Sequence, residues 1–217
     1  MAHEMYDVGD VLPVDAIQPG TNLMIGGPPM SGKAELGRTL VEDGLAAGDG
    51  AVVISTRDDA TRLLDDSPAI ADGVANGHAG VIDCVTRERG EAARDRGWIR
   101  YVSSPGDVTE IGIRTAGFFT ALAENDRDTI RGGLLSIPTM LMYTDPRRLF
   151  RFLHVFTGKV QSGGHLGIAL TELGDRETFE RFAPLFDGMI QTRLTDDYER
   201  QLRVVGVDPS PTDWVPY

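Results

Sequence analysis

The chain has 217 residues, and its 33 acidic and 21 basic side chains give a formal net charge of −12. This length is sufficient for one α/β domain, and no Pro/Ser-rich linker or charge block divides the sequence, so we expect a single domain over residues 1–217. The acidic balance argues against direct DNA binding, which normally requires a basic patch. There is no long apolar run and the first residues are acidic, which predicts neither a membrane span nor a secretory signal and indicates a cytoplasmic protein.

The first predicted elements surround a phosphate-binding motif. Residues 1–12 are expected to form an N-terminal tail, and residues 23–25 are predicted as a buried strand. This strand runs into the pattern G-x-x-x-x-G-K, and residues 33–45 follow with apolar side chains near helical spacing. Strand, loop and helix therefore occur in the order that a P-loop requires. The predicted nucleotide-binding residues are Gly27, Pro28, Pro29, Met30, Ser31, Gly32, Lys33 and Ala34.

The rest of the chain alternates between predicted strands and predicted helices. Strands are expected at 51–55, 81–85, 99–103, 133–137 and 166–170, and helices at 58–66, 107–124 and from Asp145 onward. Such alternation predicts a mostly parallel central sheet with helices on both faces. Residues 189–194 and 201–205 are expected to form a C-terminal β-hairpin. The proline-rich residues 208–217 are predicted as an irregular tail that its Trp and Tyr anchor.

The kind of charge in this sequence is unusual. Of the 33 acidic residues 22 are aspartate, and Lys33 and Lys159 are the only lysines. A dense, short-chained acidic surface indicates adaptation to high salt, where ions screen the repulsion between carboxylates. An acidic protein that binds basic partners is the alternative, although the acidic residues are scattered and form no tail.

Several segments resemble the KaiC/RadA branch of the RecA-like ATPases. They are residues 19–23 (PGTNL) before the loop, 52–59 (VVISTRDD) on the second strand and 134–139 (LLSIPT) on a central strand. Residues 136–145 (SIPTMLMYTD) and 149–158 (LFRFLHVFTG) are similar to a group of short KaiC-like proteins of halophilic archaea, some described as signal-transduction ATPases. The resemblance implies a RecA-like P-loop domain, ATP or ADP as the ligand, and assembly with itself or with another protein.

The same resemblance implies that catalytic groups of active relatives are missing here. The Ser or Thr that follows the P-loop lysine and coordinates Mg²⁺ is replaced by Ala34. The strand-end aspartate that holds Mg²⁺ through water aligns with Leu135, and the two glutamates that activate water align with Arg57 and Asp58. Asp58 is thus the one candidate catalytic base. No metal ligand is predicted, and the replacement of these oxygen ligands argues against a bound Mg²⁺.

Two further positions bear on catalysis. A Lys-x-Arg finger from a neighbouring subunit would align approximately with Gly206 and Asp208, so the resemblance implies that it is lost as well. A finger alone contributes roughly a thousand- to a hundred-thousand-fold to the rate of phosphoryl transfer. Glu172 follows the strand at 166–170 and is a candidate substitute ligand, but a solvated turn residue is the favoured interpretation.

From these features we expect a regulatory or scaffolding relative of KaiC that binds nucleotide weakly and hydrolyses little or no ATP. Two alternatives are open at this stage. The first is a slow ATPase that works as an oligomer in signal transduction. The second is a protein-interaction module whose loop binds no nucleotide.

Overall fold

The computed structural model describes residues 5–174 and 176–217. Over this part of the chain the strands are β1 (Tyr6–Asp7), β2 (Ala16–Ile17), β3 (Asn22–Gly26), β4 (Gly50–Ser55), β5 (Ala79–Asp83), β6 (Ile99–Tyr101), β7 (Ile130–Ser136), β8 (Leu166–Thr171), β9 (Gly188–Leu194), β10 (Arg200–Val205) and β11 (Val215–Pro216). The helices are α1 (Lys33–Ala47), α2 (Ala60–Asp65), α3 (Pro68–Ala75), α4 (Val108–Glu124), α5 (Ile137–Leu141), α6 (Pro146–Gly163) and α7 (Arg176–Phe182), followed by a 3₁₀ turn at Ala183–Leu185.

The centre of the molecule is a sheet of nine strands within the described residues, in the order β11-β10-β9-β3-β8-β7-β4-β5-β6. The strands from β9 to β6 in this order are parallel to one another. Strand β10 runs antiparallel to β9 and forms a hairpin with it. The mostly parallel sheet and the C-terminal hairpin are therefore confirmed.

Helices cover both faces of this sheet. Successive side chains of a strand point to opposite faces, so a continuous apolar strand presents apolar side chains to both. On β3, Leu23 and Ile25 join a core that includes Leu40 of α1, whereas Met24 joins a second core that includes Leu153 of α6. Helices α1 and α3 pack on the first face, and α4 and α6 pack on the second. Central strands such as β4 and β8 are buried along their whole length, which explains their continuous apolar sequence.

The two long predicted helices begin at aspartate caps. The carboxylate of Asp107 accepts a hydrogen bond from the N–H of Glu110 at 3.1 Å, and α4 starts at the next residue. The carboxylate of Asp145 accepts from the N–H groups of Arg147 and Arg148, both at 3.0 Å. Pro146 then occupies the first turn of α6, where a missing N–H costs nothing.

The predicted N-terminal tail at 1–12 packs against the domain over its described residues, 5–12. Strand β1 pairs with β2, and the side chain of Tyr6 is 2% exposed. Its hydroxyl donates to the carbonyl of Gly164 at 3.0 Å and accepts from the N–H of Ile130 at 3.1 Å. Residues 1–4 lie outside the described part of the chain.

The segment 208–217, predicted as an irregular tail, contains one short strand. Val215–Pro216 form β11, which pairs with Gln201 and Leu202 of β10. Trp214 packs against two arginines, with the guanidinium carbons of Arg193 and Arg203 at 4.1 and 4.7 Å from its ring centroid. The rest of the segment is irregular, and the hydroxyl of Tyr217 at its end donates to the carbonyl of Ser31.

Short helices were the least predictable elements of this fold. Helices α3, α5 and α7 have eight, five and seven residues. Elements of this length contain few turns, so a helical period is weak in the sequence, although the six-residue α2 was predicted at 58–66. No helix in the described part of the chain is long and apolar enough to cross a membrane.

Candidate nucleotide-binding site

The P-loop connects the end of β3 to the start of α1, at the carboxyl edge of the parallel strands. Two of its residues have positive φ angles, Met30 at 63° and Gly32 at 77°. Gly27 lies so close to β9 that a Cβ atom there would be 2.0 Å from the Thr192 hydroxyl. Glycine is therefore required at position 27 by packing and favoured at position 32 by backbone conformation.

Lys33 folds back over this loop. Its ammonium donates hydrogen bonds to the carbonyls of Gly27 and Pro28, both at 3.2 Å, and lies 3.7 Å from the carboxylate of Glu172. Burial lowers the pKa of Lys33, Glu172 opposes that shift, and the nearby charge of Arg57 adds to it. The structure thus places Glu172 as the ion-pair partner of the P-loop lysine, with its side chain 48% exposed.

The start of α1 offers free backbone donors to the loop. The first N–H groups of an α-helix have no partner inside the helix. Within the described residues, no side chain caps this end of α1, and Gly32 occupies the cap position. Uncapped N–H groups, a positive helix end and a lysine are the groups that bind phosphate in a P-loop. The residues present therefore fit a phosphate chain.

The last residues of the chain lie against the same loop. The hydroxyl of Tyr217 donates a hydrogen bond to the carbonyl of Ser31, and burial raises the pKa of Tyr217. The Arg200 guanidinium forms an ion pair with Glu35 in the first turn of α1 at 2.7 Å. A Cβ atom on Gly32 would lie 3.0 Å from both the Tyr217 hydroxyl and an Arg200 nitrogen. The sequence prediction missed both contacts.

The strand order explains why Arg200 reaches the loop. Strand β9 is parallel to β3, and β10 is antiparallel to β9, with Arg200 opposite Leu194 and Val205 opposite Met189. Arg200 therefore lies at the edge of the sheet that carries the P-loop. Gly206 and Asp208, the predicted positions of a lost finger, follow the other end of β10 and lie at the opposite edge.

A small cleft opens beside the first turn of α1. It holds about 60 Å³ that water-sized groups can occupy. Its lining consists of two arginines, an aspartate, three hydroxyl residues and four apolar residues: Arg38, Arg57, Asp58, Ser55, Thr56, Ser136, Ala34, Val53, Leu63 and Leu170. Ends of β4, β7 and β8 thus meet α1 at this place, as the predicted order of elements requires.

Asp58, the candidate base, lines this cleft, whereas Leu135, which aligns with the metal-holding aspartate of relatives, does not. Asp58 lines it, but its carboxylate lies 3.4 Å from the guanidinium of Arg62 and its side chain is 46% exposed. Leu135 is fully buried in the core on the α4 and α6 face. The next residue, Ser136, lines the cleft, and its N–H donates to the Thr56 hydroxyl at 3.2 Å.

The sequence of the chain matches a model of a protein family. A model described as a family of unknown function, DUF7504, matches residues 20–192. This range includes the P-loop, every strand from β3 to β8, and most of β9. The chain belongs to the DUF7504 family. No curated protein sequence matches this member of the family.

The fold of this DUF7504 member is shared with a solved structure. A KaiC-like protein, PH0186, from the hyperthermophilic archaeon Pyrococcus horikoshii OT3 superposes with a TM-score of 0.68 at 13% sequence identity. The similarity covers 98% of this chain and 91% of that protein. The chain therefore has the RecA-like fold of a KaiC-like protein, and this confirms the predicted fold class.

Proposed function

We propose that this DUF7504 protein binds ATP or ADP at residues 27–34 and acts as a regulatory or scaffolding protein with little or no ATP hydrolysis. The RecA-like fold supports a P-loop domain of the ATPase type. The positive φ angle of Gly32, the uncapped start of α1 and the position of Lys33 over the loop support the binding of a phosphate chain.

One observation carries the proposal of weak hydrolysis. The cleft beside the P-loop presents Ala34 and Arg57, and Leu135 is buried away from it. Relatives with full motifs carry a hydroxyl and carboxylates at the positions of Ala34, Leu135 and Arg57. Hydrolysis depends on these groups because they hold Mg²⁺ and orient water. The carboxylate of Asp58 is engaged by Arg62 and stands alone in the cleft lining. Transition-state charge would therefore lack metal neutralisation.

Calorimetric titration with ATP and ADP in molar KCl tests this proposal. Lys33→Ala should weaken binding about ten- to a hundred-fold, because a charge-assisted hydrogen bond contributes roughly 1.5–3 kcal/mol. Lys159→Ala is the matched control, since the only other lysine lies on α6 far along the chain from the loop. Phosphate release should not exceed that of a protein-free control. Steady release that Lys33→Ala abolishes would contradict the proposal and support a slow ATPase.

A protein-interaction module without nucleotide is the second candidate function. The contact between Tyr217 and the carbonyl of Ser31 favours it, because the C-terminal segment then already fills one side of the loop. Exposed apolar side chains on α4 and α6 also favour it, with Ile113 at 66% and Val155 at 63% exposure. If neither ATP nor ADP binds at millimolar concentration, this candidate replaces the first.

A further inference from the structure

We propose that the cleft beside Ala34 is an anion pocket, in which Arg57 and Arg38 hold the terminal phosphate of a metal-free nucleoside triphosphate. The inference rests on the proposed nucleotide binding and adds a role for two arginines. These arginines lie on the side of the loop where P-loop enzymes place a metal ion, and their positive charge would take the place of the charge of the metal.

The lining of the cleft is rich in donors. Its lining includes Arg38, Arg57 and the hydroxyl residues Thr56 and Ser136, while the hydroxyl of Ser55 already donates to the carbonyl of Asp58. Guanidinium groups match phosphate oxygens with paired N–H donors, and hydroxyls donate as well. A volume of about 60 Å³ corresponds to roughly four to six water positions at 10–15 Å³ each. Four such positions equal in number the four oxygens of one phosphate group.

The charges around the cleft leave an excess of positive charge. Within residues 5–174 and 176–217, Arg57 forms no ion pair or hydrogen bond, whereas Asp58 is engaged by Arg62 at 3.4 Å. Arg38 lies 4.0 Å from Glu42, which is a loose ion pair. Arg57 is also close enough to Lys33 to lower its pKa further. Like charges at short range repel, and an anion placed between them removes that cost.

A metal ion does not suit this lining. Mg²⁺ requires six oxygen ligands in near-octahedral geometry and is usually held by carboxylates and phosphates. The guanidinium of arginine carries a positive charge and repels a cation. Asp58 is the one carboxylate among the lining residues. The cleft therefore favours an anion over a cation.

Titration with ATP, ADP and orthophosphate tests the pocket, each with EDTA and with excess Mg²⁺. We expect ATP to bind at least as tightly in EDTA as in Mg²⁺. Arg57→Gln should weaken ATP binding about ten- to a hundred-fold and leave ADP binding unchanged, because ADP lacks the third phosphate. Arg57→Lys should restore part of the loss. Arg94→Gln removes an exposed arginine that does not line the cleft and is the matched control.

The outcomes separate the two proposals. If ATP binds with dependence on Lys33 but Arg57→Gln changes nothing, or weakens ATP and ADP equally, the pocket is refuted and the proposed function stands. Tighter binding with Mg²⁺ also refutes the pocket. If orthophosphate binds with dependence on Arg57 while ATP and ADP do not, the pocket stands and nucleotide binding is refuted. If no ligand binds, both are refuted. Thermal melting of each variant checks that it is folded.

Discussion

The hydroxyl of Tyr217 and the backbone carbonyl of Ser31 form a hydrogen bond across 186 positions of the sequence, inside the P-loop. The backbone N–H of Tyr217 in turn donates to the carbonyl of Arg200 at 3.2 Å. Through these two bonds the last residue is connected to both the final hairpin and the loop. The conformation of the loop therefore depends on residues far from the motif.

Tyr217→Phe should lower the free energy of unfolding by about 1 kcal/mol, because it removes one part-buried hydrogen bond and keeps the ring. Hydrogen exchange at the N–H groups of Gly27 and residues 30–34 should accelerate, since the loop loses one of its external contacts. Tyr198→Phe is the control, as the Tyr198 side chain is 85% exposed. Equal effects of the two substitutions would show that the contact does not order the loop.

Ala34→Thr should make ATP binding more dependent on Mg²⁺, because it restores the hydroxyl that P-loop proteins place after the lysine. Ala34→Val adds the same volume without a hydroxyl and serves as the control. Calorimetry with ATP in EDTA and in Mg²⁺ gives the ratio of affinities for each variant. A ratio that rises equally in the Val variant would mean that bulk at position 34, and not a metal ligand, causes the change.

Stability should increase as KCl rises from dilute to molar concentration. At a net charge of −12 the acidic side chains repel one another in the folded state. Dissolved ions screen this repulsion, and the burial of apolar side chains is retained. Thermal unfolding midpoints across a series of KCl concentrations measure the effect. A midpoint that stays constant or falls would remove the argument for adaptation to high salt.

Arg131→Met should destabilise the fold by up to about 3–5 kcal/mol, because it removes a buried guanidinium and leaves two partly buried carboxylates without their partner. The Arg131 side chain is 1% exposed and lies 3.0 Å from Asp43 and 2.8 Å from Asp49. Arg176→Met provides a comparison, since Arg176 is 87% exposed and pairs with Glu180 on the surface. Such a surface pair contributes at most about 1 kcal/mol. Chemical denaturation of both variants tests the difference.

As pH rises into the alkaline range, the wild-type protein should lose more unfolding free energy than a Tyr6→Phe variant. The loss in each protein is measured from its own value at neutral pH. Burial raises the pKa of Tyr6 above its ordinary value of 10.0. A raised pKa in the folded state means that this contribution is full below pH 10.0 and is lost as pH rises toward the folded value. Between pH 10.0 and the folded-state pKa, the fall of unfolding free energy with pH should therefore be shallower in Tyr6→Phe. Equal slopes in the two proteins would exclude Tyr6 as the cause.

The fold was predictable where the sequence has a local signal. Strand β4 is buried at every residue, so its apolar run predicts a central strand without further information. Asp145 and Pro146 mark the start of α6 because a cap and a first-turn proline act on adjacent backbone groups. The pattern from Gly27 to Lys33 predicts the loop for the same reason.

The site was less predictable because several of its contacts join distant residues. Nothing near Arg200 or Tyr217 in the sequence indicates that they touch the P-loop, since the order of strands in the sheet brings them there. Arg38 had a usable signal. It follows Ala34 by four residues, so both lie on one face of α1, and Ala34 was already a predicted site residue.

The short strand β11 also determines what the sheet presents at its end. By pairing with Gln201 and Leu202 it covers two of the six residues on the outer edge of β10, and β6 at the other end of the sheet has only three residues. An uncovered β10 would offer unpaired N–H and carbonyl groups to a strand of another molecule. The segment that contacts the P-loop therefore also protects the protein from edge-to-edge association, and a partner that displaced it would open the loop and a binding edge together.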